Sequence, residues 1–339
     1  MRRLVAWSGA VLLAMLAGPA FAAGFQQKTM RVPLAVTEVE RPLILGRGWL
    51  ELGLGVDVKD AAGAWTPGGT ARAFAVDGTR WLYTTGHLDV RYGITRHAEV
   101  YARVPFHYVH LSRGGADPDL ATFGLGDPVV GWRVEWFRKH APTTSITSDL
   151  YAKLPAGPEA PGSTIGPPSR ATGVPLSTGT FDVGVELAGK HQLGPVAITA
   201  GIAYGHSFSG ITQYALAVDG DPYAGRFKPG DEVRLRAEPV LQLGPIAVGA
   251  EVLYTRRALA AVGSTTPGLF DTHDFTPIAG SDGWSVDVTP GVTVNATRGF
   301  DLHAAVGVPI RGEDLVFFPF EDLTPTRGLT WSGGLEVRY

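Results

Sequence analysis

The sequence predicts an all-β protein, an antiparallel transmembrane β-barrel of about twelve strands with short periplasmic turns and long outer loops. The first observation is a strict alternation of apolar and polar residues, as in Leu50-Glu-Leu-Gly-Leu-Gly-Val-Asp-Val58. A strand of this pattern has one apolar and one polar face. Segments of roughly ten residues with the same pattern recur as far as Tyr339, which is the signature of strands that are apolar outside and polar inside a barrel.

The second observation is a predicted signal peptide at residues 1–22. Arg2 and Arg3 form a basic start, Val11–Ala17 is a short apolar core, and Ala20-Phe-Ala22 is a small-residue cleavage site. The apolar core is too short to cross a bilayer, and no later apolar run reaches about 18 residues, so we expect no helical membrane spans. We predict a periplasmic N-terminal segment at 23–46, which could reach into the lumen. The barrel is predicted at 47–339.

The third observation is the length pattern of the connections. Strands are predicted at 47–58, 81–94, 98–111, 127–138, 144–155, 179–190, 194–208, 230–242, 245–256, 283–295, 301–311 and 328–339. Connections of two to five residues alternate with connections of about fifteen or more, as in outer-membrane barrels. A soluble sandwich has no reason to place its long loops at every second connection.

Composition excludes several functional classes. The chain has no cysteine, which rules out disulfides, thiolate metal sites and a cysteine nucleophile. Removal of Arg2 and Arg3 with the signal peptide changes the formal net charge from −3 to −5, so no basic surface for nucleic acid is indicated. We predict no cofactor, no metal and no nucleic-acid partner.

The polar faces of the strands carry charges of both signs. Arg133 and Glu135 alternate with Trp132, Val134 and Trp136 on one strand. Unpaired charges in a dry core would be costly, whereas a water-filled lumen tolerates them. Aromatic residues fall near both ends of the strands and predict girdles at the headgroup level, with Trp81, Tyr108, Tyr204, Tyr254, Trp284 and Trp331 at the outer end.

The last strand ends on an aromatic residue with apolar residues at alternate positions before it. Leu335, Val337 and Tyr339 resemble the C-terminal signal that the outer-membrane assembly machinery recognises in Gram-negative bacteria. We therefore expect assembly partners of that kind, contact with outer-membrane lipids and an outer-membrane location.

Four motifs in order resemble the outer-membrane family of meta-pathway phenol-degradation transporters. They are Tyr92-Gly-Ile-Thr95 followed by Arg96, Glu99 and Val104-Pro-Phe106; Gly124-Leu-Gly-Asp127, which we expect to open a strand; Lys153-Leu-Pro-Ala-Gly157; and Ser177-Thr-Gly-Thr-Phe-Asp182. Ala156 replaces the family's usual Thr, and His97 is not its commonest turn residue. The resemblance covers about residues 85–190. It implies a barrel that transports small, often apolar or aromatic compounds.

Seven inward-facing residues on adjacent strands are the candidate solute site or constriction: Tyr101, Arg103, His107, Arg133, Asp149, Tyr151 and Lys153. The alternative is a polar lumen whose charges only satisfy one another. A candidate apolar gating loop contains Leu315, Phe317, Phe318 and Phe320, because an exposed apolar run of this kind is unusual. The preferred function is passive or facilitated uptake of a small solute without covalent chemistry.

Two rival functions stay open at this point. Gly205-His-Ser-Phe-Ser-Gly210 at an outer strand end invites comparison with rim-active lipid hydrolases, but His206 and Ser207 are neighbours in a strand and point to opposite faces. A plugged structural or adhesive barrel is the other alternative. Acids at Asp219, Asp221, Asp271 and Asp274 offer oxygen ligands for calcium, but solvated turns are the preferred interpretation.

Overall fold

Twelve long strands form one closed antiparallel sheet in the computed structural model of the chain. They are β1 Leu50–Trp65, β3 Thr79–Gly93, β4 Ala98–Arg113, β6 Val129–His140, β7 Thr143–Lys153, β8 Asp182–Leu193, β9 Val196–Ser207, β12 Glu232–Leu243, β13 Ile246–Arg257, β16 Gly283–Thr297, β17 Phe300–Asp314 and β18 Thr326–Arg338. Each strand pairs with the next long strand, and β18 pairs with β1. The predicted twelve-stranded barrel is confirmed.

Six short strands lie towards the ends of the long ones. They are β2 Ala71–Ala73, β5 Leu120–Leu125, β10 Gly210–Thr212, β11 Gly225–Lys228, β14 Ala261–Gly263 and β15 Thr276–Pro277. β2 pairs with β1, and β5 pairs with β4. The other four form a separate small sheet in the order β10-β11-β14-β15, which joins two of the long connections at the same end of the barrel.

The structure describes residues 37–65, 69–74, 78–113, 119–140, 143–156, 176–212, 225–263, 275–277, 281–297, 299–314 and 326–339. All of them belong to one compact unit, Pro33–Tyr339. The predicted signal peptide, the first part of the 23–46 segment, the candidate gating loop and the four loop acids lie outside the described residues. Within these ranges there is no helix long and apolar enough to cross a membrane.

The barrel closes between its first and last strands. Leu54 of β1 lies opposite Leu335, which in turn lies opposite Leu302 of β17. Leu52 lies opposite Val337 in the same register. The apolar positions of the terminal strand are therefore continuous with the apolar face of both neighbours.

Alternation along the strands divides the sheet into an apolar exterior and a polar interior. Leu54, Leu150, Val185, Leu187, Ile202, Leu235 and Trp331 are exposed, whereas Glu51, Glu99, Asp149 and Asp301 are buried. A soluble protein of this size would bury the leucines and expose the acids. The reversed arrangement is that of a barrel whose outer face meets lipid.

One predicted long loop contains an additional strand. The sequence placed residues 112–126 in a connection, but β5 continues the wall beside the outer half of β4. β6 then pairs with the other half of β4, from Ala98 to Arg103. The break between β5 and β6 falls at Gly126-Asp-Pro128, where proline cannot donate a ladder hydrogen bond. The Gly124-Leu-Gly-Asp127 motif therefore spans this junction and does not open a strand.

The aromatic girdle prediction is wrong at one position. Trp81 is only 2% exposed and stacks on Tyr83, with ring centroids 5.3 Å apart. Both residues have the same strand parity as Asp89 and Arg91, so they point into the barrel. At the opposite end, a register shift between Glu135 and Phe137 leaves both Trp136 and Phe137 exposed, as a bulge allows.

We expect Leu335→Asp to reduce assembled barrel at least about fivefold, because it places a carboxylate on the lipid face of the closing strand. Heat-modifiable gel mobility of the membrane fraction measures the assembled amount. The matched control is Thr330→Asp on the lumen face of the same strand, opposite Lys59. Equal assembly of the two variants would contradict the proposed orientation of β18.

Candidate functional site

The barrel interior holds a cavity of about 590 Å³. Its wall is made by charged and polar side chains from strands all around the barrel. The acidic ones are Glu51, Asp89, Asp149, Asp182, Glu186, Glu232 and Glu336, and the basic ones are Arg91, Arg103, Arg133, Lys153, Arg234 and Arg257. The lumen is thus polar at its centre and carries nearly balanced charge.

The structure brings six of the seven predicted lumen residues to this cavity. These are Tyr101, Arg103, Arg133, Asp149, Tyr151 and Lys153. His107 does not line it. Its Nδ1 shares a hydrogen bond of 2.9 Å with Thr85 Oγ1, and its ring lies against Gly126. His107 therefore belongs to the part of the wall nearer the long connections.

Both cavity tyrosines lie flat on glycines of neighbouring strands. A Cβ at Gly131 would clash with the Tyr101 ring, and a Cβ at Gly184 would clash with the Tyr151 ring. The register places Tyr101 and Tyr151 on either side of Gly131 in one row. Glycine is required at these two positions because the aromatic rings occupy the space that a side chain would fill.

A charged ladder crosses three strands beneath the tyrosines. Arg133 contacts Glu99 at 3.1 Å and Asp149 at 2.8 Å, and its guanidinium carbon lies 5.4 Å from the Tyr101 ring centre. Tyr101 also donates to Asp149 at 3.1 Å. Glu99 is 0% exposed, so its charge depends on Arg133 and on Arg91, which contacts it at 3.0 Å.

Other pairs project further into the cavity and are more exposed. Arg103 is 56% exposed and contacts Asp89 at 2.6 Å. Arg234 is 54% exposed and pairs with Glu232. Lys153, which contacts Asp182 at 2.5 Å, is only 15% exposed. The exposed guanidinium groups of Arg103 and Arg234 are solvated and bound only weakly by their partners, so they are the groups that a passing solute would meet.

Residues 37–48, here called the N-terminal plug, lie against the lumen wall at the end with the short turns. The backbone carbonyl of Leu43 accepts hydrogen bonds from Arg91 and Arg133 at 3.2 and 3.3 Å. The backbone N–H of Leu45 donates to Glu99 at 2.6 Å. Ile44 and Leu45 are buried. The same charged ladder that borders the cavity therefore also holds the plug.

Contacts on other strands extend the plug across the barrel. Arg41 contacts Asp301 of β17 at 2.7 Å. Lys190 of β8 donates to the carbonyl of Glu38 at 2.6 Å, and Thr143 of β7 donates to that of Glu40 at 3.1 Å. The chain then turns at Gly48, whose φ of +78° favours glycine, and enters β1. The plug spans the lumen from β4 to β17.

An apolar cluster occupies the inside of the barrel towards the long connections. Trp81 and Tyr83 pack there with Ala61, Val109, Leu120 and Leu176. Sequence reasoning missed this cluster because Trp81 was assigned to the outer girdle by its distance from the strand end, and Tyr83 received no assignment. Trp81 and Tyr83 both have odd numbers in β3, like the inward-facing charged residues of that strand, and this shared alternation was the available signal.

The rim motif does not form a nucleophile–base pair within the described residues. His206 contacts Asp231 at 2.9 Å, and Tyr204 donates to the same carboxylate at 2.7 Å, on the outer face. Ser207 lines the lumen cavity instead. Among the described residues there is also no group of three or more His, Asp or Glu side chains placed to bind a metal ion.

No protein-family model matches the chain, and no curated protein matches it in sequence. A solved outer membrane channel from Pseudomonas putida F1 is similar in structure, with a TM-score of 0.66 and 11% identity over 87% of this chain and 97% of that chain. The fold is that of an outer-membrane β-barrel.

Two porins give weaker superpositions. The KdgM and NanC porins each have a TM-score of 0.42 and 8% identity, over 85% of this chain and 98% of theirs. The narrower resemblance to the meta-pathway phenol-degradation family stays a prediction.

Proposed function

We propose that this protein is an outer-membrane channel through which small solutes diffuse passively along the barrel lumen. The observation that carries the proposal is the polar cavity of about 590 Å³ enclosed by the barrel wall. A volume of this size accommodates a small organic molecule. The description of the similar Pseudomonas putida F1 protein as an outer membrane channel supports the same function.

The charge pattern of the lumen suits diffusion without strong ion preference. The six basic and seven acidic lining groups nearly cancel, and most lie within ion-pair distance of an opposite charge. A solute therefore meets many weak polar contacts and no single strong site. Weak, repeated contacts are what a conduction pathway needs for entry and exit.

Aromatic and apolar compounds are the solute class that we favour. The family resemblance implies them, and the Tyr101 and Tyr151 rings in the cavity can contact a planar solute. The apolar cluster around Trp81 lies inside the barrel at the end that we assign to the cell exterior. The N-terminal plug is the constriction at the other end, and passage of an organic solute requires it to shift.

Planar-bilayer recordings of the refolded protein test the channel. We expect discrete conductance steps that aromatic solutes block more strongly than aliphatic ones of equal size. Arg103→Glu should move the reversal potential in a salt gradient towards cation selectivity, since Arg103 borders the cavity. Arg80→Glu is the matched control, because Arg80 pairs with Asp60 on the outer face of the barrel.

Absence of steps from a correctly folded barrel would contradict the channel. So would an equal shift of the reversal potential in the two variants, because that result would place the ion path outside the lumen. A lipid-hydrolysis assay on the same preparation examines the enzymatic alternative directly.

A further inference from the structure

Two arginines on the outer face of the barrel have no carboxylate partner among the described residues. Arg256 is the next-to-last residue of β13, and Arg311 lies near the end of β17. Both are exposed. Most other strand arginines form ion pairs: Arg80, Arg91, Arg103, Arg133, Arg138, Arg234, Arg236, Arg257 and Arg338. Arg256 and Arg311 differ from these arginines because no ion pair of theirs is present among the described residues.

An indole ring lies between the two arginines. Trp284 of β16 is directly opposite Arg256 across the strand pair. The guanidinium carbon of Arg311 lies 5.8 Å from the Trp284 ring centre, which is a cation–π distance. The Tyr254 ring is 6.3 Å from Trp284 on the same face. We call Arg256, Trp284 and Arg311 the outer basic cluster.

A bulge gives Arg311 its outward direction. Val286 lies opposite Arg311 and Asp287 opposite Pro309, so Ile310 is the extra residue in β17. The bulge brings Arg311 to the same face as Trp284. Gly69 also packs against this side chain, since a Cβ there would lie 3.1 Å from Arg311 Nε. The contacts with Trp284 and Gly69 orient the Arg311 side chain.

Glu313 lies beside the cluster and is bound to its indole ring. Its carboxylate accepts a hydrogen bond of 2.8 Å from Trp284 Nε1. No ion pair joins it to Arg256 or Arg311 in the described part of the chain. The carboxylate fixes the indole orientation, and among the described residues neither guanidinium group donates to a carboxylate.

The cluster is at the level where the barrel meets lipid headgroups. In β13, β16 and β17 these residues lie at the strand ends that adjoin the long connections. The long connections face the cell exterior in barrels of this kind. Apolar side chains lie nearer the middle of the same strands: Ile310 is 53% exposed and Val252 is 41% exposed. An amphiphile with an anionic head and acyl chains fits this order along the wall.

We propose that the outer basic cluster binds the phosphate groups of an outer-leaflet glycolipid of the lipopolysaccharide type. Guanidinium groups bind phosphate oxygens through paired N–H donors, more specifically than an ammonium group does. Two arginines on either side of a rigid ring match a lipid head with more than one phosphate. The site is independent of solute passage, because it lies on the opposite side of the wall from the lumen.

Binding of purified lipid A to the detergent-folded protein, followed by native mass spectrometry, tests the proposal. We expect the double variant Arg256→Gln/Arg311→Gln to bind lipid A at least about tenfold more weakly. Arg256→Lys/Arg311→Lys should recover only part of the loss, since lysine lacks the planar fork. Arg80→Gln is the matched control, because this exposed outer arginine is already paired with Asp60.

Chemically dephosphorylated lipid A and phosphatidylglycerol complete the experiment. The proposal expects weak binding of both that is insensitive to the two arginines. Equal binding of lipid A by the wild type and the double glutamine variant would overturn the site. Equal binding of the dephosphorylated lipid would overturn phosphate recognition, and arginine-dependent phosphatidylglycerol binding of equal strength would overturn the glycolipid assignment. Heat-modifiable gel mobility verifies that each variant is folded.

Discussion

Release of the N-terminal plug should raise the single-channel conductance several-fold. Ile44 and Leu45 are buried between the plug and the wall, so Ile44→Asp/Leu45→Asp places two unpaired carboxylates in that interface. Burial of an unpaired charge is more costly than exposing the segment to water. The plug should leave the lumen, and the wider bore of a twelve-stranded barrel should carry the current.

Planar-bilayer recordings at high salt measure this change. Arg47→Asp is the control within the same segment, because Arg47 is exposed and a charge change there should leave the conductance unaltered. Deletion of residues 37–48 should reproduce the large conductance. If the deletion and the double aspartate variant both conduct like the wild type, the plug is not the constriction and the conduction path lies elsewhere.

Arg133→Met should destabilise the barrel by about 3–5 kcal/mol, because it removes one member of a buried charge network. Glu99 and Asp149 would lose the guanidinium that contacts both of them. The carbonyl of Leu43 would lose a donor as well. The same substitution at Arg103 should cost about 0–1 kcal/mol, since that pair is largely solvated.

Urea unfolding of the protein in lipid vesicles gives both values. Glu99→Gln combined with Arg133→Met should be less destabilising than the sum of the single changes, because an uncharged partner no longer needs the arginine. Equal stability of the Arg133 and Arg103 variants would show that the lumen at Arg133 is as wet as at Arg103. The structural distinction between a buried ladder and exposed pairs would then be wrong.

Strand positions were predictable because alternation is a local property of the chain. Val185 and Leu187 face lipid while Asp182 and Glu186 face the lumen, and the sequence order alone separates them. The cavity residues Tyr101, Tyr151 and Arg133 followed from the same parity once neighbouring strands were aligned. The strand ends were predicted less accurately, since β1 extends to Trp65 where the sequence suggested residue 58.

The plug was not predictable in detail because its contacts leave little trace in the sequence. Arg91 and Arg133 bind the backbone carbonyl of Leu43, and any residue there would offer the same atom. β5 was missed because a six-residue strand at a loop edge resembles a turn. Trp81 differs from the plug and from β5, because the alternation along its strand already indicated that it points into the barrel.

The seam between the first and last strands sets the order in which the chain can mature. The ion pair of Glu51 with Arg338 joins positions 287 residues apart, so it cannot form until the final residues have been synthesised and exported. Arg41 of the plug contacts Asp301 on β17, a strand that is also made late. The plug can therefore make all its contacts only when the barrel is complete. An unfinished chain has an open lumen and an unpaired strand edge at β1. Truncated copies should accordingly be substrates for periplasmic quality control.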